Sequence, residues 1–332
     1  MTTIGAPTLL THLRLSGATA QLRREAETAR TEVVTGRIAD LPKGLGRSIG
    51  DAHLLRKAID DIALQREGIA RADLRASVAQ QTLADISSGG AALNADLAAA
   101  LGRGDETAIA VASVTARDAL AAAFSRLNVR VEGLSLFAGD AADQNALGSV
   151  DTLIADISGL YAGAANPAQL AADLDIYFND PAGGFRTAIY LGGAGTLASI
   201  EITRGETVAA TVRADEQGVK DLLRGLVVIA VAGADAPSVN RDAALTDAGT
   251  SLLDGSGGIL DIRTRIGVEE QRIAAAQGRL DAEEPVLTEA YNAITSRDPY
   301  EAASRLQGLE AQIEASYVLA SRLSNLSLAN YL

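Results

Sequence analysis

Near the C-terminal end, six apolar residues recur every seven positions: Ile259, Ile266, Ile273, Leu280, Leu287 and Ile294. A repeat this regular commits the segment to a long helix with one buried stripe. The companion heptad position is mixed (Ile262, Glu269, Ala276, Glu283), which suits a bundle helix better than a free two-stranded coil. Pro285 interrupts the run, and a kink near Glu284 is expected. At "SRDPYEAASRL" one helix stops and another starts. Asp298 is placed as N-cap, Pro299 as first helical residue and Glu301 as capping-box partner. Beyond that cap Leu306, Leu309, Ile313, Tyr317, Ala320 and Leu323 form a stripe that continues through Leu326, Leu328, Tyr331 and Leu332.

The N-terminal end has the same character. Leu15, Ala18, Leu22, Ala26, Ala29 and Val33 repeat at three- and four-residue spacing. This helix runs out at Gly36, where "GRIADLPKGLGRSIGD" reads as a loop or hinge. A second helix is expected from Asp51 to Ser87, striped by Leu55, Ile59, Ile62, Ile69, Leu74 and Val78 and ended by "SSGG". A third covers 91–132, broken near "GRGDE".

Between Leu134 and Asp254 the chain changes. This stretch carries most of the acidic excess and frequent turn signals. "FRTAIYL", "LASIEIT" and "TVAATVR" read as strands, with a hairpin turn at Arg204-Gly205. Asp215 is expected to cap a helix starting at "EQGVKDLL", and the main helix to return after "LLDGSGG". The fold class is therefore mainly α: a long-helix coiled coil or bundle formed by both chain ends, with a small inserted α+β domain. The expected division is 1–45 with 296–332 as terminal helices, 46–138 with 254–295 as bundle, and 139–253 as surface-exposed insertion.

Composition narrows the function. The 332 residues include no cysteine and two histidines, His12 and His53, so thiolate chemistry, disulfides and zinc sites are not expected. The net charge of −13 argues against a nucleic-acid partner. Residues 1–60 are locally basic, which reads as a solvated face. No uninterrupted apolar run approaches the ~20 residues of a membrane span, so no membrane insertion is expected. The N-terminus does not read as a cleaved signal peptide.

Catalytic motifs are likewise missing. Asp60-Asp61 and Glu283-Glu284 are helix neighbours about 100° apart and form no acid/base pair. "RGD" at 103–105 reads as a capping turn, and "YLGGAGTLA" as a hairpin turn, since it lacks the lysine of a phosphate-binding loop. Neither an enzyme nor a cofactor is expected. The remaining candidates are the terminal stripes. A ~30-residue helix pair is ~45 Å long, and each buried leucine contributes ~1.5–3 kcal/mol. The assembly interface is expected at Leu15, Leu22, Val33, Leu306, Leu309, Ile313, Tyr317, Leu323, Leu326, Leu328, Tyr331 and Leu332, covered by other copies of the chain.

Four segments, in this order, resemble the flagellin superfamily of bacterial flagellar axial proteins, and within it the hook–filament junction members. "LNVRVEGLSLFAGD" is similar to the family's Asn-x-x-x-x-Gly-x-x-Leu-Phe-x-Gly segment through Asn128, Gly133, Leu136, Phe137 and Gly139. "RTRIG", "RDPYEAASRL" and the closing "EASYVLASRLSNLSLANYL" resemble the family's C-terminal half. Thr35, Gly36, Arg37 and Ile38 fit a further segment, but its usual paired aspartates are absent, which favours a junction protein over a filament subunit. The resemblance implies a structural, exported protein of the flagellum with no cleaved signal. Its implied partners are copies of itself, a second hook-associated protein, flagellin and an export chaperone. A filament flagellin, or a secreted helical adhesin or binding module, are the alternatives.

Overall fold

The computed structural model describes residues 9–209, 212–236 and 238–329. Helices dominate them: α1 (Leu9–Thr35), α2 (Leu41–Leu45), α3 (Ile49–Arg103), α4 (Glu106–Leu127), α5 (Val150–Gly163), α6 (Pro167–Asn179), α7 (Gln217–Ala232), α8 (Val239–Thr295) and α9 (Pro299–Ala329). Two small antiparallel hairpins accompany them: β1 (Arg130–Val131) with β2 (Leu134–Ser135), and β3 (Ile200–Thr203) with β4 (Glu206–Val208). The fold is mainly α, as the periodicities require.

The chain forms two compact units, Met1–Ala63 with Asp281–Leu332, and Leu64–Leu280. Helices α3 and α8 supply residues to both.

The larger unit is built round α7. Its sequence "VKDLLRGLVVIAVA" is apolar on nearly every side, and a helix apolar all round must be surrounded. Val219, Leu222, Leu223, Leu226 and Ile229 are all buried to 1 % exposure or less. Helix α4 packs on it, and the Ser113 hydroxyl donates to the Ala230 carbonyl at 3.0 Å. Helix α4 is long and apolar enough by length and composition to cross a membrane, although Arg117 and Asp118 interrupt its apolar run; here its Ile109, Leu120, Phe124 and Leu127 are buried in the core. Leu153 and Ile157 of α5, Leu174 and Phe178 of α6, and Ile259, Ile262, Ile266, Ile273 and Leu280 of α8 complete the interior. The heptad stripe is thus the buried face of α8 within this unit.

Several local expectations are corrected. "SSGG" does not end a helix: α3 runs through it, and a side chain on Gly90 would meet Leu222 at 3.0 Å. The glycine serves packing, not capping. Leu74 lies off the buried stripe of α3 at 46 % exposure. "FRTAIYL" is a π-helical turn (Phe185–Ile189) followed by an isolated bridge from Tyr190 to Leu147. Burial of Phe185 and Ile189, four apart, matches a helical turn that short β-like composition conceals. Asp215 does not cap α7. Glu216 is the residue before the helix, and Asp215 accepts from Arg213 Nε at 2.8 Å. Helix α8 starts at Val239, so "LLDGSGG" is helical, and α8 also continues through Pro285. The hairpin at Arg204-Gly205 is present.

The glycines of "LLDGSGG" have a use the sequence did not disclose. A Cβ on Gly258 would lie 2.6 Å from Gly218 Cα, and one on Gly255 would lie 2.5 Å from Leu222 N. Backbones of α7 and α8 therefore touch directly, which any side chain would prevent.

"RGD" is the break between two helices. Arg103 ends α3, and the Asp105 carboxylate accepts from Ala108 N at 3.0 Å as N-cap of α4. The next residue, Glu106, accepts two hydrogen bonds from Arg241 at 2.5 and 2.9 Å. Arg241 is 2 % exposed and also reaches Asp242. This buried guanidinium ties the start of α4 to the start of α8.

Candidate assembly surface at the paired chain ends

Helices α1 and α9 bring the two ends of the chain together as an antiparallel pair. Arg30 lies 3.7 Å from Glu310, and the Arg23 guanidinium sits 5.3 Å over the Tyr317 ring. Lower numbers on one helix thus meet higher numbers on the other. The facing seam is made of small and aliphatic side chains. Ala29 and Ala302 are fully buried and Leu309 is 7 % exposed. Leu15, Leu22, Val33, Leu306 and Ile313 are half-buried. Tyr317 is at the seam's edge, 45 % exposed beneath Arg23. Leu323, Leu326 and Leu328 lie on α9, while Tyr331 and Leu332 fall outside the described residues.

The two terminal stripes therefore face each other within one chain, and that seam is not left wholly open for neighbours. What the pair does leave outside are apolar side chains off the stripe. Leu13 (60 %), Val34 (80 %), Val318 (47 %) and Leu319 (53 %) are exposed. Helical periodicity could have located them, because they fall on the faces opposite or beside the stripes.

The pair ends in a joint. Gly36 closes α1, its N–H donating to Glu32 O at 2.9 Å with φ +65°. Arg37 then bridges Ser296, at the break between α8 and α9. Ile38 N donates to Thr295 O and Arg297 N to Gly36 O, each at 2.9 Å. The Arg37 guanidinium donates to Asn292 Oδ1 at 2.8 Å. Across the break Asp298 caps α9 as expected, accepting from Tyr300 N at 2.8 Å. The Glu301 carboxylate turns instead toward Arg297, 3.8 Å away. The expected loop at 36–50 is mostly helical: Asp40 caps α2 by accepting from Lys43 N, and α3 begins at Ile49.

The joint holds a cluster that the sequence reading missed. Glu32 is 3 % exposed, and its Oε2 lies 3.6 Å from Arg297 Nε and 3.9 Å from Arg305. A glutamate between Ala29 and Val33 on the apolar stripe was the available signal.

The other motif residues belong to the larger unit. Asn128 ends α4, and its carboxamide pairs with the Leu147 backbone both ways, at 2.8 and 3.0 Å. Gly133 shares the β1–β2 turn with Glu132, the one non-glycine residue of positive φ among those described. Phe137 is fully buried, and Ala214 N donates to its carbonyl at 3.0 Å. Gly139 has φ +61°, and a Cβ there would lie 2.6 Å from Gly195 O. The segment is a set of backbone fastenings that closes the N-terminal helical half onto the core.

"YLGGAGTLA" forms no hairpin. Gly193 and Gly195 pass close against the Asp140 carboxylate, where a side chain on either would collide with it, and Gly195 N donates to Asp140 Oδ1 at 3.0 Å. Arg213 holds the loop by donating to the Ala194 carbonyl.

Residues 257–332 match the family model for the bacterial flagellin C-terminal helical region. Among curated proteins none matches the chain. A putative flagellar hook-associated protein from Vibrio parahaemolyticus has a similar structure, with a TM-score of 0.56 at 13 % identity, over 76 % of this chain and 99 % of that one. FlgL from Bacillus cereus aligns with a TM-score of 0.54 at 13 % identity, over 72 % of this chain and 98 % of that one. Residues 257–332 thus resemble the bacterial flagellin C-terminal helical region, and the fold is similar to that of these two flagellar structures.

Proposed function

We propose that this chain is a structural subunit of the bacterial flagellar axis, seated at the distal end of the hook as its junction to the filament. The observation that carries the reading is the antiparallel α1–α9 pair. Both ends of the chain form it, its C-terminal helix lies in the flagellin-matched region, and it keeps Leu13, Val34, Val318 and Leu319 in solvent. Exposed apolar side chains on a helix pair gain free energy when neighbouring copies cover them. The likeness to hook-associated structures supports the junction over the filament, as does the lack of paired aspartates after Arg37. The partners are then other copies of the chain, a second hook-associated protein and flagellin. An export chaperone would hold the stripe before assembly. The role is architectural and involves no catalysis.

Two experiments test this. Removing residues 314–332 should leave the 64–280 unit folded by circular dichroism and abolish assembly. Retained polymerisation would rule out the terminal-helix mechanism. Fluorescent labelling in motile cells should give one focus at the base of each filament, whereas signal along the filament would identify a filament subunit.

A further inference from the structure

Glu32 is the most deeply buried carboxylate of the joint, yet one of its oxygens has no hydrogen-bond partner. Its Oε1 accepts from Ala39 N at 3.2 Å. Its Oε2 is buried and unpartnered, as is the Nε of Arg297. The flanking nitrogens of Arg297 and Arg305, at 3.6 and 3.9 Å, are beyond hydrogen-bonding distance. Coulomb attraction in a low-dielectric setting acts between these groups without the directional bonds that make a bidentate pair strong. A polar cavity of about 310 Å³ adjoins them, lined also by Glu25, Thr28, Asp40 and Lys43.

The same carboxylate touches three pieces of chain: it sits on α1, holds Ala39 of the turn, and faces Arg297 and Arg305 about α9. The bonds it supports, Ile38 to Thr295 and Arg297 to Gly36, lie outside the helices. We propose that Glu32 is an electrostatic latch. Its buried charge, held between Arg297 and Arg305, keeps the turn after α1 registered on the break between α8 and α9, and its release frees that turn without melting either helix. The latch is a property of the isolated chain and stands or falls independently of any flagellar role.

Amide hydrogen exchange on the full-length chain tests it. Glu32→Gln keeps the shape and an oxygen for Ala39 but removes the charge. It should speed exchange at the Ile38 and Arg297 amides by about tenfold, with helical circular dichroism unchanged. Arg305→Gln should act in the same direction. The double variant should be no faster than the faster single, because both break one interaction. Exchange at both amides within about threefold of the parent in Glu32→Gln overturns the proposal. So does a double variant whose acceleration equals the product of the singles, or one in which helical signal falls together with protection.

Discussion

Asn128 makes two hydrogen bonds to one backbone residue and is half-buried. Asn128→Ala leaves a carbonyl and an N–H of Leu147 without partners and should cost about 2–3 kcal/mol in urea denaturation. Gly139→Ala meets both a left-handed backbone and a carbonyl wall, and should cost about 3 kcal/mol or more by the same measurement. Arg241 hydrogen bonds hold the Glu106 carboxyl below its ordinary value of 4.5, and Arg279 does the same for Glu206. A depressed folded-state pKa adds stability above the ordinary value, and that stability is lost as pH falls through the lower, folded value. Burial raises Asp221 and acts in the opposite sense. The clean comparison is therefore Glu106→Gln against the parent: its urea midpoint should fall less steeply between about pH 5 and 3. At this scale the sequence named Asn128, Gly133, Phe137 and Gly139 by resemblance, but not their partners. Leu147, Gly195 and Ala214 are remote in sequence, and no local pattern announces a bond to a distant backbone. Glu32 and Arg241 escaped for a related reason: a charge on an apolar stripe reveals its partner only after folding.

Elements were legible where burial is periodic. The α8 stripe, the α9 cap at Asp298 and the break at Asp105 follow from spacing and capping chemistry alone. Elements were misjudged where glycine was taken as punctuation. "SSGG" and "LLDGSGG" lie inside helices because close neighbours, Leu222 and the α7 backbone, occupy the space a side chain would need. Adjacent residues make the test. Gly257 has open space around it, so Gly257→Ala should be neutral or stabilise by up to about 1 kcal/mol through better helix propensity. Gly258→Ala must part α7 from α8 and should lower the midpoint by several times that amount. Thermal melts of the two variants read the contrast. On α9, Leu309→Ala removes a buried seam side chain and should cost about 2–4 kcal/mol, read in the melting of the terminal pair.

In the whole molecule, stability should be uneven. The 64–280 unit has α7 buried to its last turn, whereas most of the α1–α9 seam is half-buried. Hydrogen exchange should be slowest in α7 and faster in α1 by orders of magnitude, because local opening tracks local burial. Uniform exchange across both would contradict this. The mainly helical fold and the meeting of the two chain ends were readable from stripes at both termini. The way the terminal stripes pair was not, since periodicity shows which face is apolar and not whose side chains cover it.

The glycine loop at 192–195 supplies its own counter-ion. The Gly195 N–H, which would otherwise be open to phosphate or sulfate from the medium, already donates to the Asp140 carboxylate. With the charge covalently attached, its local concentration never changes. The loop should therefore keep one conformation in phosphate-rich and phosphate-free surroundings alike, a form of insulation built into the chain itself.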